Sequence, residues 1–135
     1  MAIQLSTAVR NARLNAIEAT VGPSGKVKIL SGSMPANCAA SDTGTVLSTI
    51  DLPADWMQDA AGGAKTMSGT WKDNSADASG TASYYRVYAA DGTTCHLQGS
   101  VTATGGGGDM TVDNVVFAVT QEFSITSFSL NDNNA

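Results

Sequence analysis

The pattern of apolar and polar positions divides the chain into one helical segment followed by short β-type runs. Residues 6–21 contain no glycine or proline, Ser6 is a residue type favoured at helix N-caps, and Gly22-Pro23 is a typical helix stop. After Pro23 the apolar residues no longer recur at helical spacing for long. The predicted β-type runs are 26–31, 45–52, 64–72, 83–101, 109–120 and 122–130.

The predicted helix has two apolar faces. At about 100° per residue, one face collects Leu5, Ala8, Val9, Ala12 and Ala16, and the nearly opposite face collects Leu14, Ile17 and Val21. A surface helix needs one such face to pack on its own domain. The second face indicates burial against a partner subunit, although an alanine-rich face that is merely tolerated by solvent remains an alternative.

The clearest local signal is a hairpin in residues 83–101, turning around Asp91-Gly92. A three-residue loop of 90–92, with Gly92 in a bulge, would pair Val87 with Cys95 and Tyr85 with Leu97 on one apolar face. Arg86 would then lie opposite His96 on the polar face. This register predicts a sheet with one buried side.

These elements predict a mainly β fold, a small antiparallel β-sandwich or jelly-roll-like domain with an N-terminal α-helix. We divide the chain into an N-terminal helical arm of residues 1–22 and a β-sandwich domain of residues 23–135. A length of 135 residues is enough for one core and excludes a large barrel enzyme.

Composition and charge add that the core is small and the chain electrically asymmetric. Nearly half of the residues are Ala, Gly, Ser or Thr, and charged residues supply 14%. Residues 1–28 hold four bases against one acid, a net +3, and residues 29–135 hold three bases against eleven acids, a net −8. A basic arm beside an acidic body predicts docking on an acidic surface of a partner or of a neighbouring copy, unless the bases are simply solvated. We expect no nucleic-acid binding, because phosphate would be repelled by the acidic body.

The residues that could carry chemistry do not form a recognisable site. His96 is the only histidine, and its neighbour Cys95 would point to the opposite face of a strand. The four-glycine run 105–108 is followed by Asp109 rather than by Lys-Ser/Thr, so it does not match a phosphate loop. We therefore expect no enzymatic activity, no metal and no cofactor.

The remaining signals concern compartment and redox state. No apolar stretch suits a signal peptide or a membrane span, so we expect synthesis and folding in a reducing cytoplasm and no membrane association. Cys38 and Cys95 lie 57 positions apart in the sequence. Separate buried thiols are expected in a reducing cytoplasm, and a disulfide between them is the alternative if the protein later meets an oxidant.

Several segments together resemble a family of phage proteins. The opening AIQLSTAVRNARLNAIEATVG, the segment DLPADWM, the hairpin end CHLQGSVTATGGGGDM and the closing ITSFSLNDNNA are similar to small proteins encoded among the structural genes of tailed bacteriophages and their prophages. The resemblance covers nearly the whole chain and carries no active-site motif. It implies a non-enzymatic virion structural protein, a head decoration or cement protein that stabilises the shell by added contacts between subunits.

The resemblance also implies partners. The protein would bind the major capsid protein or another virion protein, and it would act as a homo-oligomer, with a trimer favoured. We predict that the helical arm supplies the assembly contacts, which are Leu5, Val9, Arg10, Arg13, Leu14, Ile17 and Val21.

Two alternatives stay open. A tail, neck or fibre component would use the same kind of fold, in a dozen copies or fewer per particle. A carbohydrate-binding β-sandwich module belongs to a different functional class and would use exposed aromatic side chains, for which Trp56, Trp71, Tyr84 and Tyr88 are candidates unless they pack in the core.

Overall fold

Helix α1 spans Thr7–Val21, close to the segment that the sequence predicts. In the computed structural model, which describes residues 3–133, the Ser6 hydroxyl accepts the Val9 N–H at 3.2 Å and caps the helix. At the other end Gly22 has a φ of +89° and donates its N–H to the Glu18 carbonyl at 2.9 Å. Within the described residues no helix is long and apolar enough to cross a membrane.

Ten strands follow the helix, most of them short. They are β1 (Lys26–Leu30), β2 (Val46–Asp51), β3 (Ala64–Thr66), β4 (Lys72–Asp73), β5 (Gly80–Thr81), β6 (Tyr84–Tyr88), β7 (Cys95–Ala103), β8 (Met110–Val112), β9 (Val116–Phe117) and β10 (Phe123–Asn131).

Eight strands form one sheet in the order β2-β1-β6-β7-β8-β10-β3, with β4 also pairing with β10, and β5 and β9 form a separate ribbon. All pairs of described strands are antiparallel except β7 with β8. The sheet curls until β4 approaches β2, where Ser48 donates its hydroxyl to the Asp73 carboxylate. The predicted mainly β, sandwich-like domain with an N-terminal helix is confirmed.

The core fills the inside of the curled sheet with large apolar side chains. Trp71 lies at its centre, with ring centroids 5.8 Å from Trp56 and 5.4 Å from Phe128. Tyr85 meets Phe128 edge to face at 5.4 Å. Few large residues are available in this chain, and these aromatic contacts concentrate them in one cluster.

The predicted hairpin register is wrong by two residues. Val87 pairs with Leu97, Arg86 with Gln98, and Tyr88 with Cys95, because a bulge interrupts the ladder at this end. Cys95 therefore lies on the outer face with Tyr88 and not in the core with Val87. The longer loop closes on Asp91, whose carboxylate accepts the N–H groups of the two following threonines.

The glycine run 105–108 explains how two parallel strands can be joined by a very short connection. Val101 of β7 lies beside Met110 of β8, so the chain must reverse twice between them. A β-carbon on Gly106 or Gly108 would come within 2.8–2.9 Å of Thr102, whose hydroxyl accepts the Gly108 N–H. Only glycine permits this close approach, so the run is a tightly packed turn.

Candidate assembly surface on helix α1

One apolar face of α1 packs on the β-domain. Leu14 and Val21 are each 4% exposed, and Ile17 is half-buried beside them. Val21 belongs to the same apolar cluster as the sheet interior. Three of the predicted assembly contacts therefore face this chain's own body.

A polar stripe beside that face fixes the helix in position. The side-chain carbonyls of Asn11 and Asn15 accept the backbone N–H groups of Gly63 and Ala60, each at 3.0 Å. The Glu18 carboxylate accepts the Met57 N–H at 2.9 Å. These three helix residues bind the edge segment around β3, which places the helix across that end of the sheet.

Lys65 completes the polar stripe from the other side. Its ammonium group lies 2.9 Å from the Glu18 carboxylate and donates to the Asn15 side chain at 2.7 Å and to the Gln58 carbonyl at 2.8 Å. The Lys65 side chain is only 1% exposed. A lysine is this deeply buried only when its charge is paired. Because Lys65 is paired with Glu18 and Asn15 of α1, the helix is packed as part of the domain.

Arg10 and Arg13 both bind Asp132, the residue that follows the last residue of β10. Arg13 forms an ion pair with the Asp132 carboxylate at 3.2 Å, and Arg10 donates to the Asp132 backbone carbonyl at 3.2 Å. Asp132 in turn donates its N–H to Gly63. The first half of the helix is thus tied to the C-terminal strand.

The other two bases of the N-terminal segment are also used within the chain. Lys26 forms an ion pair with Asp51 at 2.5 Å. Lys28 donates to the Gly92 carbonyl at 2.9 Å and lies 4.6 Å from the centre of the Tyr88 ring. All four bases of residues 1–28 therefore bind groups of this chain, two of them carboxylates and two of them backbone carbonyls.

The opposite face of α1 stays open. Val9 is 45% exposed and Ile3, just before the helix, is 77% exposed. Between and beyond them Ala8 and Ala12 are exposed, and Leu5 is half-buried. This outward face, defined by Ile3, Leu5, Ala8, Val9 and Ala12, is an apolar surface held on a fixed helix.

Open clefts flank the helix on its body side. One, of about 600 Å³, lies between Arg13, Ile17 and the end of β10. A second, of about 420 Å³, lies beside Asn15, Glu18 and Gly22. A third, of about 200 Å³, is lined by Ile17 together with His96 and Leu97 of β7. The predicted register places His96 opposite Arg86. In the structure Arg86 pairs with Gln98, and His96 faces the helix.

The residues that dock the helix were missed because they carry no chemical motif. Asn11, Asn15 and Glu18 are spaced four and three apart, which is the spacing of one helix face. That spacing is the signal that could have identified them. Their partner Lys65 gives no signal in the sequence, because it looks like any polar residue of a short strand.

The structure also locates the candidates for other functions. The four aromatic residues considered for sugar binding are all buried: Trp56, Trp71, Tyr84 and Tyr88. They therefore offer no solvent-facing platform. Cys38 and Cys95 are both half-buried and both free. Among residues 3–133 no three His, Cys, Asp or Glu side chains are grouped so as to hold a metal ion.

Comparison with known proteins identifies no relative: no family model, curated protein or solved structure matches the chain significantly.

Proposed function

We propose that this chain is a structural protein of a tailed-phage virion, a head decoration or cement protein that binds the shell of major capsid protein as a homo-oligomer, with a trimer favoured. The observation that carries the proposal is the outward face of α1. The resemblance of the sequence to small phage structural proteins supplies the choice of particle.

The outward face suits binding because its helix is already ordered. The inner face is buried and the polar stripe is bonded to the body, so a partner does not have to order the helix on binding. Ala8 and Ala12 are small, which allows a partner backbone to approach closely beside Val9. Covering these apolar groups contributes roughly 25 cal/mol per Å² removed from water.

A small contact surface on each subunit is sufficient for binding when an oligomer presents several copies of it. A cement protein works by binding energy alone, and each copy in a closed oligomer contributes the same surface again. One exposed valine and its neighbours would give weak binding as a monomer. Three such faces on one trimer would bind a symmetric shell far more tightly.

The partner contact is expected to be apolar. The four bases of residues 1–28 are bonded to this chain's own groups, and Arg13 keeps only part of its side chain exposed at 55%. Charge on the N-terminal segment is therefore not the principal source of affinity. Binding to the shell should depend little on salt concentration.

The experiment that tests the proposal is a count of copies on purified particles of the phage whose genome carries the gene, by quantitative mass spectrometry and particle reconstruction. Hundreds of copies on the head are expected for a decoration protein. A dozen copies or fewer would assign the chain to the tail, neck or a fibre, and absence from the particle would overturn a virion role.

A further inference from the structure

The segment between β1 and β2 crosses the outer face of the hairpin as a strap. We define the strap as residues 32–44. The guanidinium group of Arg86 donates through Nη2 to the carbonyls of Asn37 at 3.1 Å and Ala40 at 2.9 Å. These two carbonyls bracket Cys38, so Arg86 fixes the position of that residue over β6.

Further bonds hold the strap at both sides of Cys38. The Gln98 side chain donates to the Pro35 carbonyl at 2.7 Å. The Tyr84 hydroxyl donates to the Thr43 carbonyl at 2.6 Å and accepts the Thr43 N–H at 3.0 Å. The strap is therefore seated on β6 and β7 along most of its length.

The hairpin register puts the second cysteine beneath the strap. Arg86 and Tyr88 point to the same outer face of β6, and Tyr88 pairs with Cys95 of β7. Cys38 and Tyr88 line one cleft of about 280 Å³. The Cys95 thiol donates to the Leu97 carbonyl at 3.3 Å. The Cys38 thiol is near enough to help raise the pKa of Cys95.

We propose that Cys38 and Cys95 are an oxidative modification site. A low-molecular-mass disulfide such as oxidised glutathione oxidises the two thiols to an intramolecular Cys38–Cys95 disulfide, and this bond fastens the strap to the hairpin. This inference does not rest on the virion role. It follows from two thiols that are distant in sequence and adjacent in the fold.

The chemistry is thiol–disulfide exchange and balances without any other reactant. The Cys38 thiolate attacks one sulfur of oxidised glutathione, forming a mixed disulfide and releasing one glutathione thiol. The Cys95 sulfur, after losing its proton to solvent, then attacks Cys38 and expels the second glutathione thiol. Two protein thiols lose two electrons and two protons, and one glutathione disulfide becomes two thiols.

The order of the two steps follows from position. Cys38 lies in the strap between exposed residues, whereas Cys95 lies in a paired strand. Burial, with a further contribution from the Cys38 thiol, raises the pKa of Cys95 to about 12. Cys38 is therefore the entry point, and Cys95 is the resolving thiol.

The test is to incubate the folded protein with oxidised glutathione at pH 8 and to measure intact mass, a non-reducing peptide map and thermal unfolding. We expect a mass lower by about 2 Da, one peptide linking the two cysteines, and a melting temperature higher by roughly 5–15 °C that dithiothreitol reverses. The disulfide would close a loop between residues that lie 57 positions apart, which restricts the unfolded chain and so raises the melting temperature.

Two variants make the test specific to this geometry. Cys38→Ser should lose both the cross-link and the response of the melting temperature to oxidant. Moving the strap thiol, as Cys38→Ser with Ser33→Cys, keeps two cysteines but should give no intramolecular bond. Stable glutathione adducts on both cysteines, disulfide-linked dimers, or two unreacted thiols in the parent protein would each overturn the proposal.

Discussion

The Lys65 ammonium group and the Glu18 carboxylate form an ion pair at 2.9 Å between β3 and α1, with the lysine side chain 1% and the glutamate side chain 19% exposed. Asn15 and Gln58 supply further oxygen atoms to the same ammonium group. The pair fixes which face of the helix meets the body, and so which face remains outside.

Glu18→Ala should therefore destabilise the protein strongly. It leaves the buried Lys65 charge without its counter-ion, which typically costs about 3–5 kcal/mol. Unfolding in urea, followed by circular dichroism, measures the loss.

The Lys72–Glu122 pair offers a matched control, because its side chains are 40% and 58% exposed. Glu122→Ala should change the free energy of unfolding by less than about 1 kcal/mol. Equal losses in the two variants would contradict the structural role of the buried pair.

Asp91 in the hairpin loop should respond to acid. Its carboxylate accepts the Thr94 hydroxyl and the N–H groups of Thr93 and Thr94, and these bonds lower its pKa well below the ordinary value. A lowered folded-state pKa contributes stability above the unfolded pKa near 4, and this contribution is lost as the pH falls through the folded value.

Carbon-13 NMR of the Asp91 carboxyl group should show no titration between about pH 7 and pH 3. Asp91→Asn should be less stable than the parent at pH 7, with the difference shrinking in acid. A carboxyl signal that titrates near pH 4 would show that the loop bonds do not form in solution.

The Cys95 thiol should react slowly with alkylating reagents at neutral pH. Because burial raises its pKa to about 12, little thiolate is present at neutral pH. In the Cys38→Ser variant the contribution of the Cys38 thiol is lost but burial remains, so alkylation of Cys95 by iodoacetamide should still accelerate with rising pH above pH 9. Lys28, Asp42, Arg86 and Tyr88 line the neighbouring cleft, and Arg86 acts against the rise in pKa. A rate that levels off near pH 8.5 would contradict the burial of this thiol.

Helix α1 shows what sequence can predict. Its limits follow from Ser6 and Gly22, and both of its apolar faces follow from spacing, because these are properties of neighbouring residues. The spacing could not tell which face meets the body. That choice depends on Lys65, which lies far along the chain and whose burial only tertiary packing creates.

The hairpin shows where such prediction fails. Matching apolar residues across the turn favoured Val87 opposite Cys95, but a bulge beside Tyr88 and a longer loop shift the ladder. The bulge places Arg86 opposite Gln98, and Arg86 can then hold the strap from below. The approach of Cys38 to Cys95 follows from that tertiary arrangement, which the local pattern does not contain.

The central claim, that the outward face of α1 carries assembly, is tested most directly by comparing Val9→Glu with Val119→Glu. The two valines are 45% and 52% exposed, Val9 in α1 and Val119 in the turn that follows β9, so the same charge is introduced at similarly exposed positions. The measurement is the copy number of each variant on purified particles after complementation of a phage that lacks the gene, with thermal unfolding confirming that both variants fold. The account predicts at least a tenfold loss of copies for Val9→Glu, corresponding to about 1.4 kcal/mol or more of binding, and near-normal incorporation of Val119→Glu. Normal incorporation of folded Val9→Glu, or equal loss in both variants, would contradict it.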